Sequence, residues 1–265
     1  MSAPAAPEKV QPPPPDAAVS ATDGAVAIKG RTPWEIVRSR LARDKITMTA
    51  FVFSVLIVVV AATSPFMVKL GWLRPDDFNP DLVKGLGSLP EGFAGGISRD
   101  HWLGVEPGTG RDLFSRIVTG ITTSLTVAIL ATLISVVLGV TLGLVAGFSK
   151  GRLDWLISRF LDLVLSFPST LMLLSLGPVL VSRIASIMGI SSADNKAKVA
   201  FMALVLGFFG HPFFARIIRG QVLSLREREF VEAARSLGAR AGRIYFKELL
   251  PHLWAPILVY TTLIL

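Results

Sequence analysis

Little in this chain is equipped for covalent chemistry. Its three histidines, His101, His211 and His252, lie far apart, and no H-E-x-x-H or paired-histidine pattern joins them. Each is expected to serve an ordinary structural role. The absence of cysteine excludes disulfides, thiolate metal sites and cysteine nucleophiles together. No G-x-x-x-x-G-K-[ST] loop is present to cradle ATP phosphates. Arg159 and Asp162, three residues apart, can pair on one helix face. A proton relay is the sharper alternative for that pair, but no acid lies deeper in any apolar stretch to continue it. The expectation is a chain that is not itself an enzyme, with no cofactor and no metal. What it does carry is a docking surface. Residues 232–251 read EAARSLGARAGRIYFKELLP: Glu232, Ala233 and Ala234, then Gly238, then a basic helical run closing on Leu250 and Pro251. This is a cationic helix-turn-helix lying between hydrophobic stretches, thin at its two alanines and hinged at a glycine that adopts backbone angles other residues resist.

The elements that must hold this segment are membrane spans. Mean hydropathy is +0.58 with 51% apolar residues, above what a soluble domain of this size carries. The uncharged stretches are 46–67, 117–149, 163–182, 199–215 and 253–265. About 20 residues cross a ~30 Å hydrocarbon core, so the first and third are ordinary spans. The second is long enough to tilt or project, and the fourth is short with flanks that can snorkel. The fifth rises only roughly 20 Å and is truncated. The fold class expected is therefore all-α: a polytopic transmembrane helix bundle of four full spans plus a truncated fifth.

Basic residues orient the spans. Lys29, Arg31, Arg38, Arg40, Arg43 and Lys45 precede the first, and Arg226, Arg228, Arg235, Arg240, Arg243 and Lys247 follow the fourth. The 67–116 loop mixes both signs. The positive-inside rule places the amino terminus and the 220–251 segment in the cytoplasm and the long loop outside. Residues 1–32, rich in proline, alanine, serine and threonine, are expected to be a disordered cytoplasmic tail rather than a signal peptide. Residues 33–67 hold an amino-terminal helix and the first span, 68–116 the external loop, and 117–265 the core. The net charge of +8 is mainly topology. The basic residues have no stacking aromatics among them, so no nucleic-acid partner is expected.

Gly139, Gly143 and Gly147 recur every fourth residue in the second stretch, one helix face that lets a neighbour approach closely. Pro168, Pro178 and Pro212 each remove a backbone donor and are expected to kink their spans.

The order EAA, three residues, glycine, then an apolar pair ending in Leu-Pro resembles the coupling loop of ATP-binding-cassette importer permeases. Two further segments extend the likeness. Residues 101–125, HWLGVEPGTGRDLFSRIVTGITTSL, are similar to the segment before the second span of dipeptide and oligopeptide permeases. They match at Gly108, Gly110, Arg111 and Asp112 and depart at Val105 and Glu106. This loop either caps the next helix through an Arg–Asp pair or takes part in passing substrate. Gly147, Gly151, Asp154 and the Ser166, Phe167, Pro168 run match the same family, and the resemblance covers nearly all of residues 32–265.

The resemblance implies a type I importer permease that grips an ATPase through Glu232, Ala233, Ala234, Gly238, Leu250 and Pro251. The implied partners are a second homologous permease subunit, two cytoplasmic ABC ATPase subunits and an extracytoplasmic substrate-binding protein. The implied cargo is dipeptides or oligopeptides, with membrane lipid around a multi-pass inner-membrane protein. Such permeases have six spans, with the coupling loop between the fourth and fifth. An ion-gradient-driven secondary transporter is the alternative, disfavoured by the poverty of mid-membrane charge and of inverted repeats.

Overall fold

The computed structural model describes residues 41, 43–85 and 89–265. The expected tail at 1–32, the start of the 33–67 segment, and Lys29, Arg31, Arg38 and Arg40 lie outside them. In chain order the helices are α1 (Lys45–Lys69), α2 (Leu113–Phe148), α3 (Arg152–Ser166), α4 (Ser169–Met188), α5 (Asn195–Leu225), α6 (Glu229–Ser236), α7 (Ala241–Arg243) and α8 (Leu250–Ile264). Between α1 and α2 lies a short antiparallel hairpin, β1 (Val83–Lys84) with β2 (Leu89–Pro90). Among the described residues four helices are long and apolar enough to cross a membrane: α1, α2, α4 and α5. Hydrocarbon offers no partner for backbone groups, so apolar stretches of this length close their hydrogen bonds internally as helices.

The chain divides into two units, Met1–Ser54 and Val55–Leu265. In the first, Asp44 starts α1 by accepting from the backbone N–H groups of Ile46 (3.0 Å) and Thr47 (3.3 Å). The second unit holds the bundle. Two carboxylates open its long helices in the same manner: Asp112 accepts from Ser115 N at 2.7 Å and Asp194 from Lys196 N at 2.9 Å.

The centre of the bundle is the pair α2–α5. In lipid, helices gain little from apolar burial and associate by close packing. The three glycines provide it. A Cβ at Gly139 would stand 2.8 Å from Phe214 Cβ, one at Gly143 2.5 Å from Ala215 O, and one at Gly147 2.7 Å from Val222 Cβ. Gly207 of α5 returns the fit, with Ala131 O and Ile134 Cβ both 2.7 Å from where its Cβ would be. Residue numbers rise together along both helices, so α2 and α5 run parallel. Around them, Thr122 donates to Ala61 O at 3.0 Å and Arg74 N to Ser115 Oγ at 3.1 Å, which sets this part of α1 antiparallel to α2. Gly177 of α4 faces Phe201 of α5.

Three expectations need correction. The 163–182 stretch is not one span. The residue before a proline avoids helical angles: Phe167 is extended (φ −91°, ψ 124°), α3 ends there, and Pro168 stands at the head of α4 rather than inside a span. Residues 163–166 belong to α3, whose Leu161 and Val164 are buried. The fourth helix is not short, because Lys196 and Lys198 at one end and Arg216 and Arg219 at the other extend α5 to 31 residues. Its basic residues at the far end are held by ion pairs rather than by snorkelling alone. Finally, Pro251 does not close the second coupling helix. Ile244–Leu249 forms a π-helical turn, with Leu250 N–H donating to Tyr245 O, that runs directly into α8. Proline lacks an N–H and crowds the carbonyl four residues back, and a wider turn accommodates it without breaking the helix.

Candidate coupling site

Residues 226–251 follow α5 at the end of the bundle where α2 and α5 both terminate. One continuous core fastens them there: Leu144, Phe214, Ile218, Val222, Val231, Ile244, Leu249, Leu253 and Ile257. Val231 and Leu249 are fully buried and Ile244 nearly so. Val231 sits one residue before Glu232, so the helical period that sinks Val231 turns Glu232 and Ala233 outward, while Ala234 is half-buried against the core.

Helix α6 stops at a left-handed glycine. Gly238 has φ +77°, its N–H donates to Arg235 O (2.9 Å) and that of Ala239 to Ala234 O (3.0 Å). The helix end thus has partners for its last carbonyls and a fixed reversal of direction. Leu250 is half-buried and Pro251 exposed, so both belong to the seam between loop and α8 more than to an open face. The open face is formed by Glu232, Ala233, Gly238, Arg240 and two large apolar side chains, Leu237 (88% exposed) and Phe246 (71%).

Several contacts tie this face rigidly to the spans. Arg226 Nη1 donates to Gly147 O at 3.1 Å, capping the carbonyl end of α2. Phe148, the last residue of α2, meets Tyr245 edge-on at 5.0 Å, and the Arg235 guanidinium lies 4.8 Å above its ring. Phe230 stacks on His252 at 4.6 Å. On the neighbouring side, Arg219 makes two bonds to Asp154 of α3 (2.8 and 2.9 Å). The Arg219 guanidinium holds the Asp154 carboxyl below the usual carboxylate range, ahead of the opposing effect of burial. Asp162 takes Arg216 at 2.5 Å and Arg159 at 3.5 Å, so the local pair read from the sequence is the weaker half of a shared carboxylate. None of this can break or make a bond in a substrate. It is a mechanical seat.

Arg216 and Arg219 are absent from the sequence reading, and Arg226 enters it only as a topological charge, not as a partner of α2. Asp154 was visible in its motif, but its partner is 65 positions away and no local spacing reveals it. At the opposite end of the bundle the 101–112 loop also differs from expectation. Asp112 caps α2, one of the two roles left open for this loop, yet its second partner is His101 Nδ1 at 3.1 Å. Arg111 instead lies over the Phe78 ring at 4.9 Å. Glu106 binds Arg116 (2.8 Å) and accepts from the Thr109 hydroxyl (2.7 Å).

Among the described residues, a helical bundle with two parallel central helices thus ends in a cationic, half-apolar loop. Residues 139–265 match the family described as "Binding-protein-dependent transport system inner membrane component". The chain is 31% identical over 232 residues to the dipeptide transport system permease protein DppC of Alkalihalophilus pseudofirmus, covering 88% of this chain and 67% of that protein. It is 33% identical over 237 residues to the glutathione transport system permease protein GsiD of Escherichia coli O6:K15:H31 and of Shigella boydii, covering 88% of this chain and 68% of theirs. The chain belongs to this family of inner-membrane permeases of binding-protein-dependent importers.

Proposed function

We propose that this chain is one half of the translocation pathway of a short-peptide importer and that residues 226–251 are the hook by which a cytoplasmic ATPase moves it. The second homologous permease subunit, two ATPase subunits and an extracytoplasmic binding protein complete the complex. The amino terminus and the hook face the cytoplasm. The observation that carries the reading is the hook's construction: an exposed surface at Glu232, Ala233, Leu237 and Phe246, mounted on fully buried Val231 and Leu249. Apolar side chains as exposed as Leu237 and Phe246, beside cations and away from the lipid-facing spans, mark a contact surface for another protein. Dipeptides and glutathione, named for the relatives, are both short peptides, which supports that cargo class. Nothing in the fold or among these relatives favours an ion-gradient-driven carrier.

Glu232 is exposed and bonded to nothing in the core, so Glu232→Arg leaves the fold intact and reverses the charge at the contact. In proteoliposomes holding the whole complex, this variant is expected to lose at least tenfold of ATP-driven dialanine uptake and to release the ATPase on purification. Wild-type uptake is expected to require ATP and to survive collapse of ion gradients. Full ATP-driven uptake by Glu232→Arg overturns the hook, and uptake driven by a gradient without ATP overturns the importer.

A further inference from the structure

At the end of the bundle opposite the hook, a cavity of about 740 Å³ opens between the loop before α2, the first turns of α2 and the start of α5. Its charged lining consists of Arg111, Arg116, Lys198 and Asp76. Thr119, Thr123, Ser124 and Asn195 add hydrogen-bonding groups, and few apolar side chains are present. The volume suits a small molecule of several non-hydrogen groups, but the walls do not: ordinary small-ligand sites are lined mainly by apolar and aromatic side chains.

The charges divide into committed and free. Arg116 is paired with Glu106 at 2.8 Å. Among the described residues, Arg111, Lys198 and Asp76 enter no ion pair. Arg111 Nε is buried with no hydrogen-bond partner, while stacking on Phe78 restrains the guanidinium. A guanidinium that lines the cavity, is held by an aromatic ring and is paired with no carboxylate is a preformed receptor for one. Two free cations and one free acid around one cavity fit a zwitterion: a carboxylate at Arg111 and Lys198, an ammonium at Asp76.

We propose that this cavity binds the free α-carboxylate and α-ammonium of a short peptide, reading its charged ends and ignoring its side chains. The assignment rests on the peptide-importer reading above. With no apolar pocket to select a side chain, the site discriminates peptides from their end-blocked analogues and discriminates poorly among peptides.

The test uses the assembled complex in nanodiscs without its binding protein, so that selection by that protein cannot intervene. The probes are dialanine, dialanine amide and N-acetyl-dialanine, followed by saturation-transfer NMR. Dialanine is expected to give a saturable signal, with both blocked analogues at least fivefold weaker. Lys198 and Asp76 are exposed, so Lys198→Glu and Asp76→Asn leave the fold intact. Lys198→Glu is expected to weaken dialanine about fivefold, as an exposed ion pair allows. Asp76→Asn is expected to remove the preference for dialanine over N-acetyl-dialanine while keeping that over the amide. Equal signals from all three probes, or unchanged signals in both variants, overturn the cavity site. Wild-type ATP-driven dialanine uptake, measured in parallel in proteoliposomes holding the whole complex with its binding protein, separates the two levels: uptake without end-dependent signals rejects the cavity alone, and no uptake rejects the peptide cargo.

Discussion

Substituting Gly143 by alanine tests the packing on which the whole arm of the molecule rests. The added methyl would stand 2.5 Å from the Ala215 carbonyl oxygen, 2.9 Å from Ile218 Cβ and 3.2 Å from Ala215 Cα. The nearest and third of these atoms are backbone, so no rotamer change relieves the clash. Restoring the oxygen contact to an optimal ~3.5 Å separation requires α2 and α5 to part by about 1 Å, which forfeits a quarter to a half of each dispersion contact along the seam. The cost should reach the upper end of the overpacking range, about 3 kcal/mol. Gly220 sits in α5 with nothing within 4 Å of its Cβ position. Alanine there should stabilise by about 0.5–1 kcal/mol, because glycine is the poorer helix former. Thermal denaturation of the detergent-solubilised protein checks both, and the two substitutions should move the midpoint in opposite directions. If Gly143→Ala melts with the wild type, or if Gly220→Ala is as damaging as Gly143→Ala, the close parallel seam is not what holds this bundle.

Asp154→Asn should cost about 1 kcal/mol, a partly exposed ion pair being worth no more. It should also flatten the acid limb of the stability profile. With its folded pKa lowered, Asp154 stabilises fully above its ordinary value of 3.8 and loses that contribution as pH falls through the folded value, so denaturation midpoints of wild type and variant should converge below about pH 4. Gly238→Ala, forced to φ +77°, should destabilise the hook by about 1 kcal/mol while Gly238→Asn costs less; equal ATPase stimulation by both variants and wild type would show the turn to be unstrained. Because the chain has no native cysteine, Ser98→Cys should be labelled by an impermeant thiol reagent in intact cells and Leu237→Cys should be shielded; the reverse pattern would invert the orientation.

The span count and the glycine face were legible because both depend on periods within one segment. The α2 stripe announced that something packs there, but its partners Phe214, Ala215 and Val222 lie about seventy-five positions on, beyond any local pattern. The Ser166, Phe167, Pro168 run is visible as a motif but reads as lying within a span, since hydropathy does not distinguish a break between two helices from a kink within one. Asp112 was recognised as a cap but assigned to its neighbour Arg111. Adjacent residues in an extended segment point to opposite sides, which sends Arg111 to Phe78 and leaves Asp112 for His101. The fusion of the second coupling helix to α8 was hidden for a similar reason: a proline in sequence reads as a stop, and the π-helical turn that lets the helix pass it is a matter of backbone spacing.

The distribution of contacts along α2 and α5 bears on how such a half-pathway can move. At the hook end the pair is fixed by backbone-to-guanidinium, ionic, aromatic and fully buried apolar contacts together, through Gly147, Phe148, Arg219, Val222 and Val231. At the other end the first turns of the same helices line a cavity of about 740 Å³ with polar side chains. Packed seams are bistable rather than continuously deformable, so a displacement imposed on the hook cannot be absorbed where it enters. It passes along the glycine seam as rigid motion, and the end where a cavity opens beside both helices is where the geometry has room to change. On the importer reading, this places the response to the ATPase at the mouth that meets the incoming cargo, some ~54 Å away along the 36-residue α2. The Gly143 substitution loosens the seam between those ends, so it should uncouple them before it unfolds them: ATP hydrolysis by the complex should persist at temperatures where dialanine uptake has already failed.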